Sequence, residues 1–406
     1  MRRKLSFFMG LILAVILFTG ETLNSQTAYD CLLKARILMA DGKNGEAVTC
    51  LVSGLAANRD GRLFSAKAEA ETAMGDVNSA ISDYLSASSM GDTEAEFGLA
   101  KAYALKGDAA GSVSHLENSM KSASRKSEKE IMLEPSFRKI ENTPEWRAFW
   151  KKDWYTGKEK SLAEIEYYVA GGKTSEAISA LAELENNYGG TSAVDYASAL
   201  ISFSAGKYQD ALKDLSGLLE TDPSNEKYLR LMAKAQESSG NPAGASDTYS
   251  KLLEMQVPDA GLLISRAENY RKTGETDKAR ADIKRYLELV PDSKSALSMA
   301  GKIESSTGNN LEALGYFNRN LQLHPDDPDC YIDRANSYFL SKSWDWAAKD
   351  YSMALDLSPG NPDTWLNKGL ALVNSGNTDD ACHDFRQALR LGSKKAADLV
   401  SRYCIK

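Results

Sequence analysis

Histidine is scarce in this chain of 406 residues, and the patterns that mark most catalytic and metal sites are missing with it. The three histidines, His115, His324 and His383, lie far apart in the sequence. Neither a histidine-based metal cluster nor a Ser/His/Asp triad therefore has a natural place. No GxSxG, HExxH, calcium-loop or CxxC pattern occurs either. We expect no enzyme, no metal site and no small-molecule cofactor.

Proline is absent from the first third of the chain, and apolar residues rarely alternate with polar ones as they do in strands. All ten prolines lie at or after Pro135. The composition, 43% hydrophobic and 26% charged, is that of an ordinary globular protein. Acidic residues outnumber basic ones, since 56 Asp and Glu against 49 Lys and Arg give a net charge of −7. We expect an all-α protein with no nucleic-acid partner.

The first segment has the order of a secretory signal. Basic residues at 2–4 precede an apolar run at 5–18, and the polar stretch 21–26 follows. The run is shorter than the roughly 20 residues that span a bilayer, and no cysteine follows it closely enough to accept a lipid. We predict a signal peptide at 1–25 and an exported mature chain without an integral membrane span. Its expected location is the periplasm or the periphery of an envelope complex.

Five cysteines in an exported chain predict disulfides, because that compartment is oxidising. Sequence proximity favours Cys31 with Cys50 and Cys382 with Cys404. Each bond would close a loop of about twenty residues and contribute roughly 3 kcal/mol in the chain-entropy description. The alternative is five buried thiols.

A period of 34 residues organises the chain from residue 158 onwards. Six glycines follow this period, a lysine takes the one skipped place, and an alanine follows each of the seven positions by five residues. A small residue precedes the turn by seven residues in six of the seven units, and proline closes four of them. Each unit is therefore predicted to be helix, turn, helix and stop. The turn residues and their alanines are Gly172, Gly206, Gly240, Gly274, Gly308, Lys342 and Gly376, with Ala177, Ala211, Ala245, Ala279, Ala313, Ala347 and Ala381.

The best copies of the unit are the last two, 328–361 and 362–395. Their characteristic residues are Tyr331, Ala335, Tyr338, Ala347, Tyr351, Ala354 and Pro359, then Trp365, Gly369, Gly376, Ala381, Phe385 and Ala388. This pattern resembles the tetratricopeptide repeat, a helical hairpin of 34 residues. The register gives seven repeats over 158–395, and a looser set gives about three degenerate repeats over 28–120. The resemblance implies an α-solenoid in two arrays, each hairpin burying its apolar face against the next.

Residues 121–157 fit no repeat and join the two arrays. Their first part, up to residue 130, is a charged linker that we expect to be solvated or mobile. Trp146, Trp150 and Trp154 then recur at the spacing of one helical face. This stripe is interpreted either as an internal cap or as a docking surface. The cap is favoured, because apolar stripes at helical spacing are usually core.

The end of the chain also has a recognisable pattern. Its residues are Cys382, His383, Asp384 and Phe385, then Leu391 and Gly392, then Tyr403 and Cys404. They resemble the closing repeat and short helix of envelope repeat proteins of the Bacteroidetes. The resemblance implies a Gram-negative source, a disulfide between Cys382 and Cys404, and a C-terminal capping helix at 396–406.

In the repeats that this chain resembles, fixed places on the first helix of each hairpin line a concave surface that holds a partner. The middle repeats carry a mixed but net basic set of residues there, and the last two repeats carry mostly apolar and amide residues. These candidate partner-binding residues are Lys227, Arg230, Lys234, Arg271, Lys302, Ile332, Asn336, Phe339, Leu366, Leu370 and Val373. We expect a groove suited to a segment with acidic and hydrophobic side chains. Ordinary variation of an exposed surface is the alternative.

The function expected from the resemblance is a noncatalytic protein–protein interaction scaffold or adaptor of the cell envelope. The alternative is a glycan-binding protein similar to the outer-membrane nutrient-capture family, which builds related helices around a carbohydrate site. Trp344 and Trp346 would then stack on sugar rings. Against this alternative, those proteins are usually lipoproteins with long irregular insertions, whereas this chain keeps strict spacing and lacks a lipid-accepting cysteine.

Overall fold

The computed structural model describes residues 28–404, and this part of the chain is built from α-helices and one short 3-10 helix, without a β-strand. The all-α prediction is therefore confirmed. The predicted signal peptide at 1–25 and residues 405–406 lie outside the described residues. None of the helices in the described range combines the length and the apolar character that a membrane crossing requires.

Three helical hairpins form the beginning of the described chain. From the second helix onwards, each of these helices packs on its neighbour in sequence, so that hairpins also pack on hairpins. Aspartates cap three of these helices by accepting a backbone N–H of the first turn, which fixes where each helix starts. The helices are α1 (28–40), α2 (Asn44–Ala57), α3 (Gly61–Ala73), α4 (Val77–Ser89), α5 (Ala95–Lys106) and α6 (Ala109–Met120).

The segment that interrupts the repeats is folded onto the third hairpin. It contains α7 (Glu128–Leu133), a 3-10 helix (Pro135–Lys139) and α8 (Pro144–Trp150). Trp146 and Phe149, at 7% and 0% exposure, belong to one core with apolar side chains of α5 and α6. The other two tryptophans of the stripe pack partly buried against the same core. The tryptophan face is thus core packing that covers the third hairpin.

Seven further hairpins follow, and a last helix closes the chain. Every predicted repeat start falls within one residue of the start of a helix. The first helices are α9 (Gly157–Ala170), α11 (Ser192–Ser204), α13 (Glu226–Ser238), α15 (Gly261–Thr273), α17 (Lys294–Ser306), α19 (Pro328–Leu340) and α21 (Pro362–Asn374). The second helices and the closing helix are α10 (Thr174–Tyr188), α12 (Tyr208–Thr221), α14 (Pro242–Glu254), α16 (Thr276–Leu289), α18 (Asn310–Leu323), α20 (Trp344–Leu357), α22 (Thr378–Arg390) and α23 (Lys394–Tyr403).

The chain forms two compact units, here called unit 1 and unit 2, that divide between Leu262 and Leu263. This boundary falls inside the predicted seven-repeat array rather than at 121–157. The reason is that the interrupting segment shares a core with α5 and α6 and so belongs to the packing of unit 1. Within unit 1, the Tyr29 hydroxyl donates to the Val257 carbonyl at 2.9 Å.

Small residues set the distance between the helices of each hairpin. The alanine five residues after the turn has no exposed surface in any of the seven repeats. On the facing helix, an added β-carbon at Gly301 would lie 2.4 Å from the Phe317 ring, and one at Gly369 would lie 2.5 Å from the Phe385 ring. The aromatic ring of the second helix therefore packs directly on the backbone of the first.

The turns of the repeats need a left-handed backbone. The repeat glycines have φ between 68° at Gly172 and 92° at Gly376. Lys342, which takes the skipped place in the glycine column, has φ 60°. A side chain with a β-carbon is disfavoured in this conformation by about 1–2 kcal/mol.

We expect Lys342→Gly to raise the free energy of unfolding by about 1 kcal/mol, because glycine adopts this φ without steric penalty. Urea unfolding followed by circular dichroism measures the change. Lys342→Ala is the control, since it removes the long side chain but keeps the β-carbon, and it should give no gain. Equal stability of the glycine and alanine variants would contradict the explanation.

Candidate partner-binding surface

In unit 1 the predicted basic residues lie on α13, and two of the three have carboxylate partners within the chain. Lys227 pairs with Glu166 of α9. Arg230 binds two carboxylates, one of them Asp259 at 2.8 Å. Lys234 is exposed. An acidic ligand would compete with these internal carboxylates, so the surface is closer to neutral than the sequence predicts.

In unit 2 the two predicted basic residues are paired as well. The Arg271 guanidinium donates to both carboxylate oxygens of Glu268, at 2.7 and 2.8 Å. Lys302 lies 3.0 Å from Asp333, whose side chain is only 12% exposed. The predicted basic middle is thus an ion-paired surface in both units. Sequence spacing could reveal Glu226 and Glu268, which lie on the same helix as their partners. It does not reveal Glu166, Asp259 and Asp333, which come from other elements.

The apolar and amide candidate residues of unit 2 differ in how far their side chains are free to contact a partner. Leu366 is 6% exposed and belongs to the core. The Asn336 side chain accepts a hydrogen bond from the Tyr351 hydroxyl at 2.6 Å, which fixes its amide. The Phe339 ring packs edge-to-face with Trp344, with 4.9 Å between centroids. The half-buried remainder, here called the apolar strip, is Ile332, Phe339, Leu370 and Val373.

The last helix is fastened covalently to the last hairpin. Cys382 of α22 is bonded to Cys404, directly after α23, with 5.4 Å between their α-carbons. Beneath this bond, Leu366, Phe385 and Ala396 form one buried cluster. The helix therefore covers the apolar face that the final hairpin would otherwise expose.

Comparison with known proteins identifies the repeat. One family model, described as tetratricopeptide repeat, matches residues 162–226 and 298–362, and another of the same description matches 362–392. The chain contains tetratricopeptide repeats. The crystal structure of a tetratricopeptide repeat protein from Parabacteroides merdae has a similar fold, with a TM-score of 0.53 and 21% identity. That match covers 61% of this chain and 99% of the other.

Two curated proteins share the repeats over part of their length. DnaJ homolog subfamily C member 3 of Gallus gallus is 29% identical over 182 residues, which are 40% of this chain and 35% of that protein. Tetratricopeptide repeat protein 8 of Caenorhabditis elegans is 26% identical over 142 residues, 35% of this chain and 28% of that protein. This chain thus spans about a third of the length of these curated relatives.

A buried ion pair that recurs in the tetratricopeptide hairpins escaped the sequence analysis. A basic residue on the first helix meets an aspartate sixteen residues later on the second helix. In unit 2 these aspartates are 6%, 3% and 1% exposed. The signal that would have found them is this separation of sixteen residues, repeated at the period of the hairpins. The pairs in unit 2 are Arg266 with Asp282, Arg334 with Asp350, and Lys368 with Asp384.

The predicted bond between Cys31 and Cys50 is not formed, and both residues are free thiols in the first hairpin. They are instead hydrogen-bonded neighbours, and the Cys50 thiol lowers the pKa of Cys31 to about 7. The same hydrogen bond and burial raise the pKa of Cys50. Cys330 is buried as well, which raises its pKa to about 11. Cys31 is therefore the thiol with the most thiolate at neutral pH.

Alkylation by iodoacetamide should be fastest at Cys31, because the thiolate is the reacting form. The rate should rise as the pH passes through 7 and then level off, whereas Cys330 should react only after unfolding. Timed labelling with mass spectrometry of the peptides measures both rates. In the control Cys50→Ala, which removes the donor of this hydrogen bond, the midpoint should move toward about 8.5, the ordinary value for a thiol. An unchanged midpoint in that variant would contradict the role of the hydrogen bond.

Proposed function

We propose that this chain is a noncatalytic adaptor of the cell envelope that binds a segment of a protein partner on the first helices of its last two repeats. The observation that carries the proposal is the apolar strip on α19 and α21. Tetratricopeptide hairpins present the same helix in successive units, and surfaces of this kind hold extended or helical segments. Ile332 and Phe339 pack partly buried against one core cluster, and Leu370 and Val373 against the next. The exposed remainder of these side chains is apolar surface that a partner segment can bury.

The partner segment is expected to bring apolar side chains rather than acidic ones. The basic residues on the first helices are mostly paired within the chain, as with Lys302 and Asp333 at 3.0 Å. Exchanging one exposed ion pair for another changes the free energy little, since such pairs contribute about 0–1 kcal/mol. Burial of the apolar strip is therefore the main source of affinity, and binding should depend weakly on salt.

Two features support a location in the envelope. The sequence begins with the order of a secretory signal. The chain also has a disulfide between Cys382 and Cys404, and such bonds persist in oxidising compartments.

The glycan-binding alternative was suggested by Trp344 and Trp346, and the contacts of these two side chains do not favour it. The Trp344 ring is in edge contact with Phe339 at 4.9 Å. The Trp346 ring has the Lys349 ammonium 5.3 Å from its centre and the Tyr338 ring 6.1 Å away. Trp346 is 58% exposed, but Trp344 stands two residues earlier on the same helix and so faces another side. The two indoles therefore do not form one stacking platform for a sugar ring.

The test is capture of the partner by cross-linking in the native envelope, followed by purification under denaturing conditions. We expect a specific protein to be lost when Phe339 and Leu370 are both changed to alanine. A reduction of at least tenfold in affinity, about 1.4 kcal/mol, is expected for truncating two central apolar contacts. The matched control is Leu311→Ala, which shortens a leucine that is 88% exposed on α18, and it should keep the partner.

Circular dichroism before capture verifies that the double variant is folded. Capture of the same protein by wild type and double variant would overturn the assignment of the apolar strip. Capture of glycan alone would overturn the adaptor function. Loss of binding on raising the salt concentration, with the strip intact, would contradict the apolar character of the contact.

A further inference from the structure

Two thiols lie side by side between the helices of the first hairpin. Cys31 is on α1 and Cys50 is on α2, and the S–H of Cys50 donates a hydrogen bond to the sulfur of Cys31. Cys31 lies one helical turn from the buried Ala35, and Cys50 lies one turn from the buried Ala47. Both cysteines are nevertheless partly exposed. The pair therefore lies at the edge of the helix contact, where it is accessible from solution.

The backbone of α2 comes very close to Cys31. A β-carbon added at Gly54 would lie 2.9 Å from the Cys31 sulfur and 3.3 Å from the Cys31 β-carbon. Counted from the turn of the hairpin, Gly54 stands at the place of Ala354 and Ala388 in the last two repeats, and both of these alanines are buried. An alanine at this place in the first hairpin would collide with the thiol. The glycine therefore makes the room that the Cys31 side chain occupies.

This close approach also permits a covalent bond between the two helices. The β-carbons of a disulfide lie about 3.5–4.5 Å apart, and the α2 backbone at Gly54 already comes within that distance of Cys31. Cys50 precedes Gly54 by one helical turn, and its sulfur is within hydrogen-bonding reach of the Cys31 sulfur. The two sulfurs therefore lie close enough to bond without separation of the hairpin.

The two thiols are not equivalent. The hydrogen bond from Cys50 lowers the pKa of Cys31 to about 7, against the opposing effects of burial and of the adjacent Asp30. Lys34, one turn further along α1, lowers this pKa as well. The same hydrogen bond raises the pKa of Cys50. At neutral pH one member of the pair is thus largely a nucleophilic thiolate, and the other is a thiol.

The three remaining cysteines, all within the described range 28–404, do not have this arrangement. Cys382 and Cys404 are bonded to each other. Cys330 is only 2% exposed on α19, and unit 2 contains no second free cysteine. Among the described residues, only the first hairpin combines two adjacent free thiols with access from solution.

We propose that Cys31 and Cys50 form a site of thiol–disulfide exchange, whose substrate is an accessible disulfide of a small thiol or of a protein. The Cys31 thiolate attacks one sulfur of that disulfide, the S–S bond breaks, and the first leaving thiolate takes up a proton. Cys50 then loses its proton, and its sulfur attacks the Cys31 sulfur and releases the second thiol. The incoming disulfide is thereby reduced by two electrons to two thiols, while Cys31 and Cys50 are oxidised to one disulfide.

The exchange is stoichiometric, with one disulfide reduced by each chain, so it is compatible with a noncatalytic protein. It is also reversible, because a reducing thiol attacks the new bond by the same steps. The redox state of the first hairpin therefore follows the balance of thiols and disulfides in its surroundings. The site lies in unit 1, and the inference does not depend on the apolar strip of unit 2.

The test starts from the full chain, which is treated with reduced glutathione and then transferred into glutathione disulfide. Samples are quenched with acid over time, and mass spectrometry of the peptides identifies each bond. We expect a transient glutathione adduct on Cys31, then a bond between Cys31 and Cys50 and the release of two glutathiones per chain. Reduced glutathione should reverse that bond. Two peptides joined by a disulfide are used in parallel, and the faster of the two reactions distinguishes a protein substrate from a small one.

Three variants assign the roles of the two thiols. Cys50→Ala should hold the glutathione adduct on Cys31, because no second thiol displaces it. Cys31→Ala should form an adduct on Cys50 at least threefold more slowly at pH 7 than Cys31 does in the wild type, since this thiol carries less thiolate. Cys330→Ala is the matched control and should react at the wild-type rate. Circular dichroism verifies that each variant is folded.

An adduct that persists on Cys31 of the wild type, without a bond to Cys50, would overturn the proposal. First attack by Cys50 would also overturn it. A bond between Cys31 and Cys50 that reduced glutathione opens only after unfolding would overturn it as well, because such a bond is structural. Changing Phe339 and Leu370 to alanine should leave the exchange unchanged, so a failure of the apolar strip is distinguishable.

Discussion

Close contact between the two helices of each hairpin is the constraint on which the rest of the structure depends. The alanine after the turn has no exposed surface in any of the seven repeats. Where the facing residue is glycine, as at Gly301, an aromatic ring of the second helix fills the space. Since this spacing is the same in every hairpin, each apolar face fits the next one. Equivalent positions on successive first helices are then left at the surface, so the candidate surface follows from a packing requirement.

A second feature of the structure is that many charged side chains form ion pairs within the chain. Arg334 and Asp350 meet across one hairpin, and Lys227 and Glu166 meet across two helices of unit 1. The charged residues therefore contribute less to recognition than their number implies. What distinguishes the last two repeats is therefore the half-buried apolar strip rather than their charge.

Local patterns account for how much the sequence could predict. The turn glycines, the buried alanines and the closing prolines all act within one hairpin, so the helices and their starts follow from spacing alone. The pairing of Arg230 with Asp259 cannot be read from spacing, because it depends on how separate elements pack against each other. The same holds for the packing of the segment at 121–157 on α5 and α6. The first helices that carry the candidate residues were thus predictable from spacing, but the ion pairs that these residues form with other elements were not.

The distribution of tryptophan gives the molecule two sets of optical reporters. No tryptophan lies between residues 155 and 343, so every indole belongs either to the packed segment after the third hairpin or to the last two repeats. Repeat arrays are not required to melt in one step. Intrinsic fluorescence can therefore follow unit 1 and unit 2 separately, once the indoles of one set are replaced by phenylalanine. The two sets are Trp146, Trp150 and Trp154 in unit 1, and Trp344, Trp346 and Trp365 in unit 2.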